Sequence, residues 1–315
     1  MTAQPDDSTY QEARSSAPLD PDAPSHPLTQ LRPDSDLGRQ EYGGRNWGVS
    51  LALYALRSAR SWGMGDFADL GDLAAIVAHV GGDYLVVGPV TSTTQQAVER
   101  LGFTCAHGGG LIVDPLHIRP EDIREVAYLP SSQRTMLDWG SETIRATNTQ
   151  PDPINVDEVW EAKKAALEVA FSVPRTPARQ ALFHQFVRRH GAGLAPYVHA
   201  AVAAENPNSQ ALYEDLCADS SAGAAARRHH EERIEFHLWV QWVGREQLHA
   251  AHSNALATGM RIGVVHTMVE GLDAHSIADL GAFGGGVFLA HIEADGFDEA
   301  VVAARDAGMV VFAEG

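Results

Sequence analysis

Residues 45–90 decide the fold and read RNWGVSLALYALRSARSWGMGDFADLGDLAAIVAHVGGDYLVVGPV. The apolar run at 49–56 suits a buried strand, and residues 66–80 carry apolar side chains at helical spacing. A second buried-strand pattern covers residues 83–90, where a Gly-Pro pair closes it. A strand, a helix and a strand within about forty residues predict a βαβ unit with parallel strands.

The same rhythm returns near the other end of the chain. There, apolar runs predict strands at 261–269, 286–291 and 309–313, and a helix is predicted at 297–307. Between the two parts, apolar repeats at i, i+3 and i+4 predict a helical block. Its expected parts are helices at 156–171, 176–190 and 225–258 and a loop at 220–224. Five strands can be placed in all.

Buried strands that alternate with helices, around a helical block, are typical of an α/β barrel with an insertion. A complete barrel takes about 250 residues without insertions, and too few residues are left here for eight β/α units. We therefore expect an α/β fold, as a partial or divergent TIM (β/α) barrel with an α-helical insertion. Such a barrel has open strand edges.

The composition of the chain changes along its length, and this predicts four parts. The first part is rich in Asp, Pro, Ser and Gln and lacks apolar periodicity, so we expect it to be disordered and dispensable. The expected parts are a disordered N-terminal arm at 1–44, first β/α units at 45–150, an α-helical insertion at 151–258 and further, truncated β/α units at 259–315.

The net charge of -18 over 315 residues limits which classes of partner the chain can bind. Such a surface repels phosphate backbones and anionic lipid, so we expect neither a nucleic acid nor a membrane partner. The two cysteines, Cys105 and Cys217, favour reduced thiols over a disulfide framework. With no signal-peptide pattern and no apolar stretch near 18 residues, we expect a cytoplasmic protein.

The segment at 45–70 resembles the opening of the 4-α-glucanotransferases (amylomaltases), R-x-W-G-x-x-x-Q-L-Y-x-L-R-S-x-x-S-W-G-I-G-D-F-x-D-L. The match is long and free of gaps, with Ala52 in place of the usual Gln. Four further blocks resemble the family and follow in its order. They are DPLHIRPEDIREVAYL at 114–129, INVDEVWEAKKAAL at 154–167, FHLWVQW followed by EQL at 236–248, and GMRIGVVH at 259–266.

The resemblance implies a TIM-type barrel whose retaining chemistry passes α-1,4-glucan units between sugars. Retention needs two carboxyl groups about 5–5.5 Å apart, one as nucleophile and one as acid/base. No metal or organic cofactor is implied, and the Gly-rich runs here do not form a dinucleotide motif. An α-1,4-glucan or maltooligosaccharide is the ligand that the resemblance implies, and open barrel edges allow self-association.

The catalytic positions of the family are altered in this chain. Its nucleophile motif G-L-R-I-D-H falls on GVFLAH at 286–291, which places Phe288 at the arginine and Ala290 at the attacking aspartate. An alanine has no atom that can attack a sugar, while His291 is kept. The acid/base motif V-V-G-E-D-L-G falls on the last six residues, and makes Glu314 a weak acid/base candidate.

Other sugar-binding features of the family are also lost. The loop S-P-Y-x-P-S-S-R-R falls on FTCAHGGGL at 103–111, with Cys105 at the tyrosine and no arginine pair. The V-H-D strand end reads Val265-His266-Thr267, so this aspartate is missing too.

The candidate substrate-binding residues are Tyr54, Trp62, Asp66, His266 and His291. Simpler roles compete with binding at most of these positions. Trp62 suits framework packing, Asp66 suits the N-cap of the helix that follows it, and both histidines suit structural roles.

Three functions stay open on the sequence. The chain is a 4-α-glucanotransferase-like protein of α-1,4-glucan metabolism that we expect to be inactive as it stands. The alternatives are a non-catalytic glucan-binding or regulatory pseudoenzyme and a truncated gene product. A Cys105–His107 nucleophile and a metal site at His229 and His230 fit the sequence less well, because nothing nearby orients the first and charged residues surround the second.

Overall fold

The computed structural model describes residues 32–33, 46–105, 110–149, 154–268, 272–289 and 294–313. Its strands form a six-stranded sheet and a two-stranded antiparallel sheet. The six-stranded sheet contains β1 (Arg32–Pro33), β2 (Gly48–Leu51), β3 (Tyr84–Val87), β6 (Gly263–Thr267), β7 (Gly286–Leu289) and β8 (Val310–Ala313). The two-stranded sheet pairs β4 (Thr91–Thr93) with β5 (Leu111–Val113).

The five strands predicted from the sequence are neighbours in the large sheet. Its order is β1-β8-β7-β6-β3-β2, so β2, β3, β6, β7 and β8 follow one another in chain order, and all four pairs are parallel. This is the strand order of a (β/α) barrel. The chain therefore forms a partial barrel with a helical insertion, which confirms the expected fold class.

Helices cover the sheet and fill the insertion. They are α1 (Phe67–His79), α2 (Thr94–Arg100), α3 (Ser131–Arg145), α4 (Val156–Phe171), α5 (Pro177–Ala204), α6 (Ser209–Cys217), α7 (Ser221–His229), α8 (Glu231–Ala257), α9 (Ala274–Leu280) and α10 (Ala294–Asp306). None of these helices is long and apolar enough to cross a membrane.

The helices mostly begin where capping chemistry predicts. Asp66 caps α1 in a reciprocal capping box with Asp69, as the sequence suggested for a helix that starts there. Thr176 caps α5, and a proline occupies its first position. This helix continues past residue 190, where the prediction ended it, because the apolar face of residues 194–203 is buried.

The predicted loop at 220–224 is wrong. Ser220 is an N-cap that accepts a hydrogen bond from the backbone N–H of Gly223, and α7 follows it. The long helix predicted from residue 225 is in fact two helices, because α7 ends at His229 and α8 begins at Glu231.

One pair of residues in the predicted disordered arm is ordered in a strand. Arg32 and Pro33 pair antiparallel with Ala313 and Phe312 of β8. The expectation of disorder is therefore wrong for these two residues, since they cover the outer edge of β8. The other residues of the arm lie outside the described ranges.

Both faces of the sheet are buried, as expected for parallel strands. In β3, Leu85 and Val87 face the large core that packs against the helices. Tyr84 and Val86 face a smaller cluster on the opposite side, together with Phe312. The continuous apolar run YLVV in the sequence reflects this burial on two sides.

Candidate functional site

The carboxyl ends of the parallel strands meet at one edge of the sheet, where barrel enzymes build their active sites. Tyr54 lies at this edge, in the 3-10 turn Leu53–Ala55 that follows β2. The last residues of β7 and β8, Leu289 and Ala313, are paired in register, so these two strands end side by side.

Three residues of the sequence analysis follow directly on these strands. They are Ala290, His291 and Glu314, and all three lie outside the residues that the structure describes. Their predicted roles as nucleophile position, substrate ligand and acid/base candidate stay predictions.

Tyr54 is half-buried and packs against the large core. Of the predicted binding residues within the described ranges, it alone combines a position at this edge with partial exposure. A half-buried tyrosine can present its ring to a sugar and hydrogen-bond through its hydroxyl.

His266 is buried and faces away from the edge. Val264 and Val265 face the large and the small cluster respectively, so alternation turns His266 towards the helices. Its Nε2–H donates to the Phe283 carbonyl oxygen at 3.1 Å, and burial lowers the pKa of His266 to about 4. This position argues against the predicted hydroxyl-binding role and for a neutral structural histidine.

Trp62 is also closed off from any ligand. Its side chain is completely buried, and Nε1–H donates to both carboxylate oxygens of Glu121, at 2.9 and 3.2 Å. Arg145 forms an ion pair with the same carboxylate. With neither ring face open to solvent, Trp62 is part of the framework, and the predicted sugar-stacking role does not fit.

Asp66 is a buried structural carboxylate. Its Oδ1 accepts the backbone N–H groups of Ala68 and Asp69 at 3.0 Å, which caps α1. Its Oδ2 accepts Arg119 Nε–H at 2.7 Å, while Arg119 also donates to Asp69 Oδ1 at 2.6 Å. All of its oxygen contacts are thus within the framework, which argues against substrate binding.

Lys163 completes this polar cluster. Its Nζ donates to the Leu116 carbonyl oxygen at 2.5 Å, and burial lowers the pKa of Lys163 to about 8. Burial raises the pKa of Asp66, while the positive charges of Lys163 and Arg119 act to lower it. Sequence reasoning gave Arg119 and Lys163 no role, and the only signal for them is their place inside the family blocks at 114–129 and 154–167.

A metal centre is not formed by the part of the chain that the structure describes, which holds no group of three or more His, Cys, Asp or Glu side chains able to bind an ion. His229 and His230 stack edge to face on each other at 4.8 Å between ring centroids.

The family model described as 4-alpha-glucanotransferase matches residues 51–277. The 4-alpha-glucanotransferase of Mycobacterium tuberculosis (strain ATCC 25618 / H37Rv) is 31% identical over 262 residues, which cover 77% of this chain and 35% of that protein. The 4-alpha-glucanotransferase of Haemophilus influenzae is 26% identical over 238 residues, which cover 69% and 34% respectively. The chain thus spans about a third of the length of the curated relatives that it matches.

Two solved structures share the fold. The amylomaltase from Corynebacterium glutamicum superposes with a TM-score of 0.68 at 24% identity, covering 84% of this chain and 47% of that one. The amylomaltase from Streptococcus agalactiae, solved in complex with acarbose, gives a TM-score of 0.54 at 14% identity, covering 74% and 45%. Motifs, fold and family model agree, and the chain belongs to the 4-alpha-glucanotransferase family as a divergent member.

Proposed function

We propose that this chain is a glucan-binding member of its family that does not itself transfer glucan units. The proposed ligand is that of the family, an α-1,4-glucan or maltooligosaccharide. The family's transfer reaction is not part of the proposal. No cofactor is part of the proposal, because glycosyl transfer between sugars uses carboxyl groups alone.

The loss of the nucleophile is the observation that carries the proposal. Ala290 stands at the attacking position, directly after β7, and its methyl group cannot form a bond to the anomeric carbon. The arginine position is Phe288, whose side chain packs with the small apolar cluster. Thr267, the last residue of β6, replaces a further aspartate of the family. With alanine at position 290, a carboxyl group at Glu314 lacks the nucleophilic partner that retention needs.

Tyr54 is the residue that supports residual binding. It keeps the family's Leu-Tyr pair in the turn that follows β2, and the residue is half-buried near the edge where barrels bind ligands. In this proposal a sugar ring stacks on Tyr54, while the framework residues Asp66, Trp62 and His266 hold the turn and strands in place.

A cytoplasmic location and self-association complete the proposal. Neither cysteine is in a disulfide within the described residues, which suits a reducing compartment. In the sheet as described, β2 pairs with β3 alone, and its other edge is open to a second chain.

Native electrophoresis in gels with and without soluble amylose tests the binding. We expect amylose to retard the chain, and Tyr54→Ala to lose most of the retardation. Tyr128→Ala is the matched control, because Tyr128 is 72% exposed in a different turn, and it should migrate like the parent chain. Equal mobility with and without amylose would rule out glucan binding, and release of new oligosaccharides from the gel would favour the transferase alternative.

A further inference from the structure

A cavity lies between the 3-10 turn Arg124–Tyr128, the start of α5 and the connection that joins α4 to α5. Its volume is about 430 Å³, which is within the range of small-molecule sites in proteins. Val173, Pro174 and Leu182 form an apolar part of its wall. Tyr54, the proposed glucan-binding residue, lies elsewhere, in the turn after β2. The cavity is thus a second candidate site on the described part of the chain.

The wall of this cavity carries more positive than negative groups. Three arginines line it, Arg124, Arg175 and Arg179, together with one glutamate, Glu125. Glu125 is buried, and its two carboxylate oxygens accept from Arg179 at 2.9 and 3.4 Å. In a chain with a net charge of -18, a wall of this sign is a local exception. Such a cavity attracts a small anion, while the acidic surface elsewhere repels a polyanion.

Carboxylates outside the lining fix two of the three arginines. Arg179 also donates to Glu246, at 2.5 and 2.7 Å, so all of its side-chain nitrogens are engaged. Arg175 donates from Nε to Gln180 at 2.6 Å and from Nη2 to Glu235 at 2.5 Å. Its Nη1 has no partner among the described residues. These carboxylates offset the charges of both arginines and hold them in place.

Arg124 is the arginine that remains available to a ligand. It is exposed and makes no hydrogen bond or ion pair with another residue of the described ranges. Tyr128 lies four positions later in the same turn and is 72% exposed, and Leu182 of α5 is 50% exposed at the same cavity. A guanidinium can bind two phosphate oxygens at once, and a tyrosine ring can stack on another ring.

We propose that this cavity binds a small phosphate monoester with a planar, apolar body. The phosphate accepts hydrogen bonds from the Arg124 guanidinium and from Nη1 of Arg175, and the body lies against Tyr128 and Leu182. A phosphate monoester carries a charge of about -1.5 to -2 near neutral pH, which is more than one guanidinium compensates, so the second donor adds to the binding. The site does not depend on glucan binding at Tyr54.

Ligand-detected NMR of the full chain with phenyl phosphate tests the proposal. We expect saturable binding of phenyl phosphate. Phenol and inorganic phosphate should each bind more weakly by about tenfold or more, because each lacks one of the two parts that the cavity recognises. Soluble amylose should not displace phenyl phosphate.

Variants locate the site. Arg124→Gln should weaken the binding of phenyl phosphate by about tenfold or more, and Arg124→Lys by less, because lysine keeps the charge without the fork. Tyr128→Ala should weaken it by about fivefold. Arg228→Gln is the matched control, since Arg228 is exposed on α7 and should not affect binding. All four variants should melt within about 2 °C of the parent chain.

The proposal would be overturned by a parent chain that shows no saturable binding of phenyl phosphate. Inorganic phosphate that binds as tightly as phenyl phosphate would contradict the role of the ring. Equal binding by Arg124→Gln and the parent chain would place the ligand elsewhere, and displacement by amylose would place it at the glucan site.

Discussion

Asp66 shows how the family motif around it contributes to the framework of this chain. Its carboxylate both caps α1 and pairs with Arg119, and the three side chains of Asp66, Asp69 and Arg119 are almost fully buried. Such a group is costly to leave half-paired, because the partner then keeps a charge without compensation. The motif S-W-G-x-G-D therefore stabilises the framework of this chain, independently of the residues at the strand ends.

Asp66→Ala should lower the free energy of unfolding by about 3–5 kcal/mol, since it strands the buried Arg119 and removes the cap. Urea denaturation at pH 7 measures the change. Asp66→Asn keeps the capping oxygen and should cost less. Asp72→Ala is the control on the exposed side of α1 and should stay within about 0.5 kcal/mol of the parent. Equal effects at positions 66 and 72 would show that the cluster contributes little.

Buried histidines should make the fold sensitive to acid. Burial lowers the pKa values of His199, His252 and His266 to about 4, below the ordinary value of 6.5. Between pH 6.5 and 4 the unfolded chain binds more protons than the folded chain. The contribution of these histidines to the free energy of unfolding is therefore fully present above pH 6.5 and is lost as the pH falls towards 4. Calorimetry from pH 7 to 4 should show this fall in melting temperature.

His266→Gln separates this effect from the titration of carboxylates. The glutamine amide can still donate to the Phe283 carbonyl but takes up no proton, so the fall between pH 6.5 and 4 should be shallower. A slope identical to that of the parent chain would mean that His266 does not titrate with folding.

Helix α8 connects the insertion to the barrel through two glutamines. Gln241 accepts from the Val113 N–H and donates to the Val113 carbonyl, at 3.0 and 2.9 Å, like a neighbouring strand. Gln247 makes the same pair of bonds with the backbone of Arg119, both at 2.8 Å. Side chains thus satisfy backbone groups of β5 and of the Arg119 segment, which are far away in the sequence.

Gln241→Leu should lower the free energy of unfolding by about 2–4 kcal/mol, because it leaves a buried N–H and a buried C=O of β5 unpaired. Denaturant melts followed by circular dichroism give the value. Gln210→Leu on exposed α6 is the control and should change it by less than about 0.5 kcal/mol. If the two variants melt alike, the Gln241 pairing is not a stabilising contact.

Local signals predicted some elements well and could not predict others. The apolar repeat of residues 156–171 coincides with α4, since Asn155 caps it and Ser172 follows it. The small residues SAGAAA at 221–226 have no apolar face, so the first turn of α7 was predicted as a loop. Likewise Asp66 was predicted as a cap from its neighbours, but its partner Arg119 is 53 residues away, and no local pattern predicts that contact.

At the scale of the whole molecule, the large sheet holds five parallel strands among the described residues, and the two-residue strand β1 pairs antiparallel with β8. On the β8 side, Arg32 and Pro33 cover an edge that the sequence analysis left open. Phe312 of β8 is completely buried and stacks against Tyr84 with 4.8 Å between ring centroids. The residue that pairs with Pro33 thus also belongs to the small apolar cluster, so the β1–β8 pairing and the packing of this cluster depend on each other.

Removal of residues 1–44 should consequently lower the melting temperature by a few degrees and promote concentration-dependent association through β8. Removal of residues 1–28 is the control, because it leaves the Arg32–Pro33 pair in place. Light scattering coupled to size-exclusion chromatography, together with thermal melts, compares the two. Identical melting temperatures and masses for the two deletion variants would show instead that the whole arm is dispensable.

The central claim is that the family framework is kept here while glucan transfer is lost. Incubation of the purified chain with maltotriose, followed by chromatography of the oligosaccharides, tests it most directly, with the Mycobacterium tuberculosis 4-alpha-glucanotransferase as positive control. With Ala290 at the nucleophile position, we predict that maltotriose stays unchanged after long incubation, since removal of a nucleophile costs several orders of magnitude in rate. Longer and shorter maltooligosaccharides that disappear when the chain is heat-inactivated would contradict the claim.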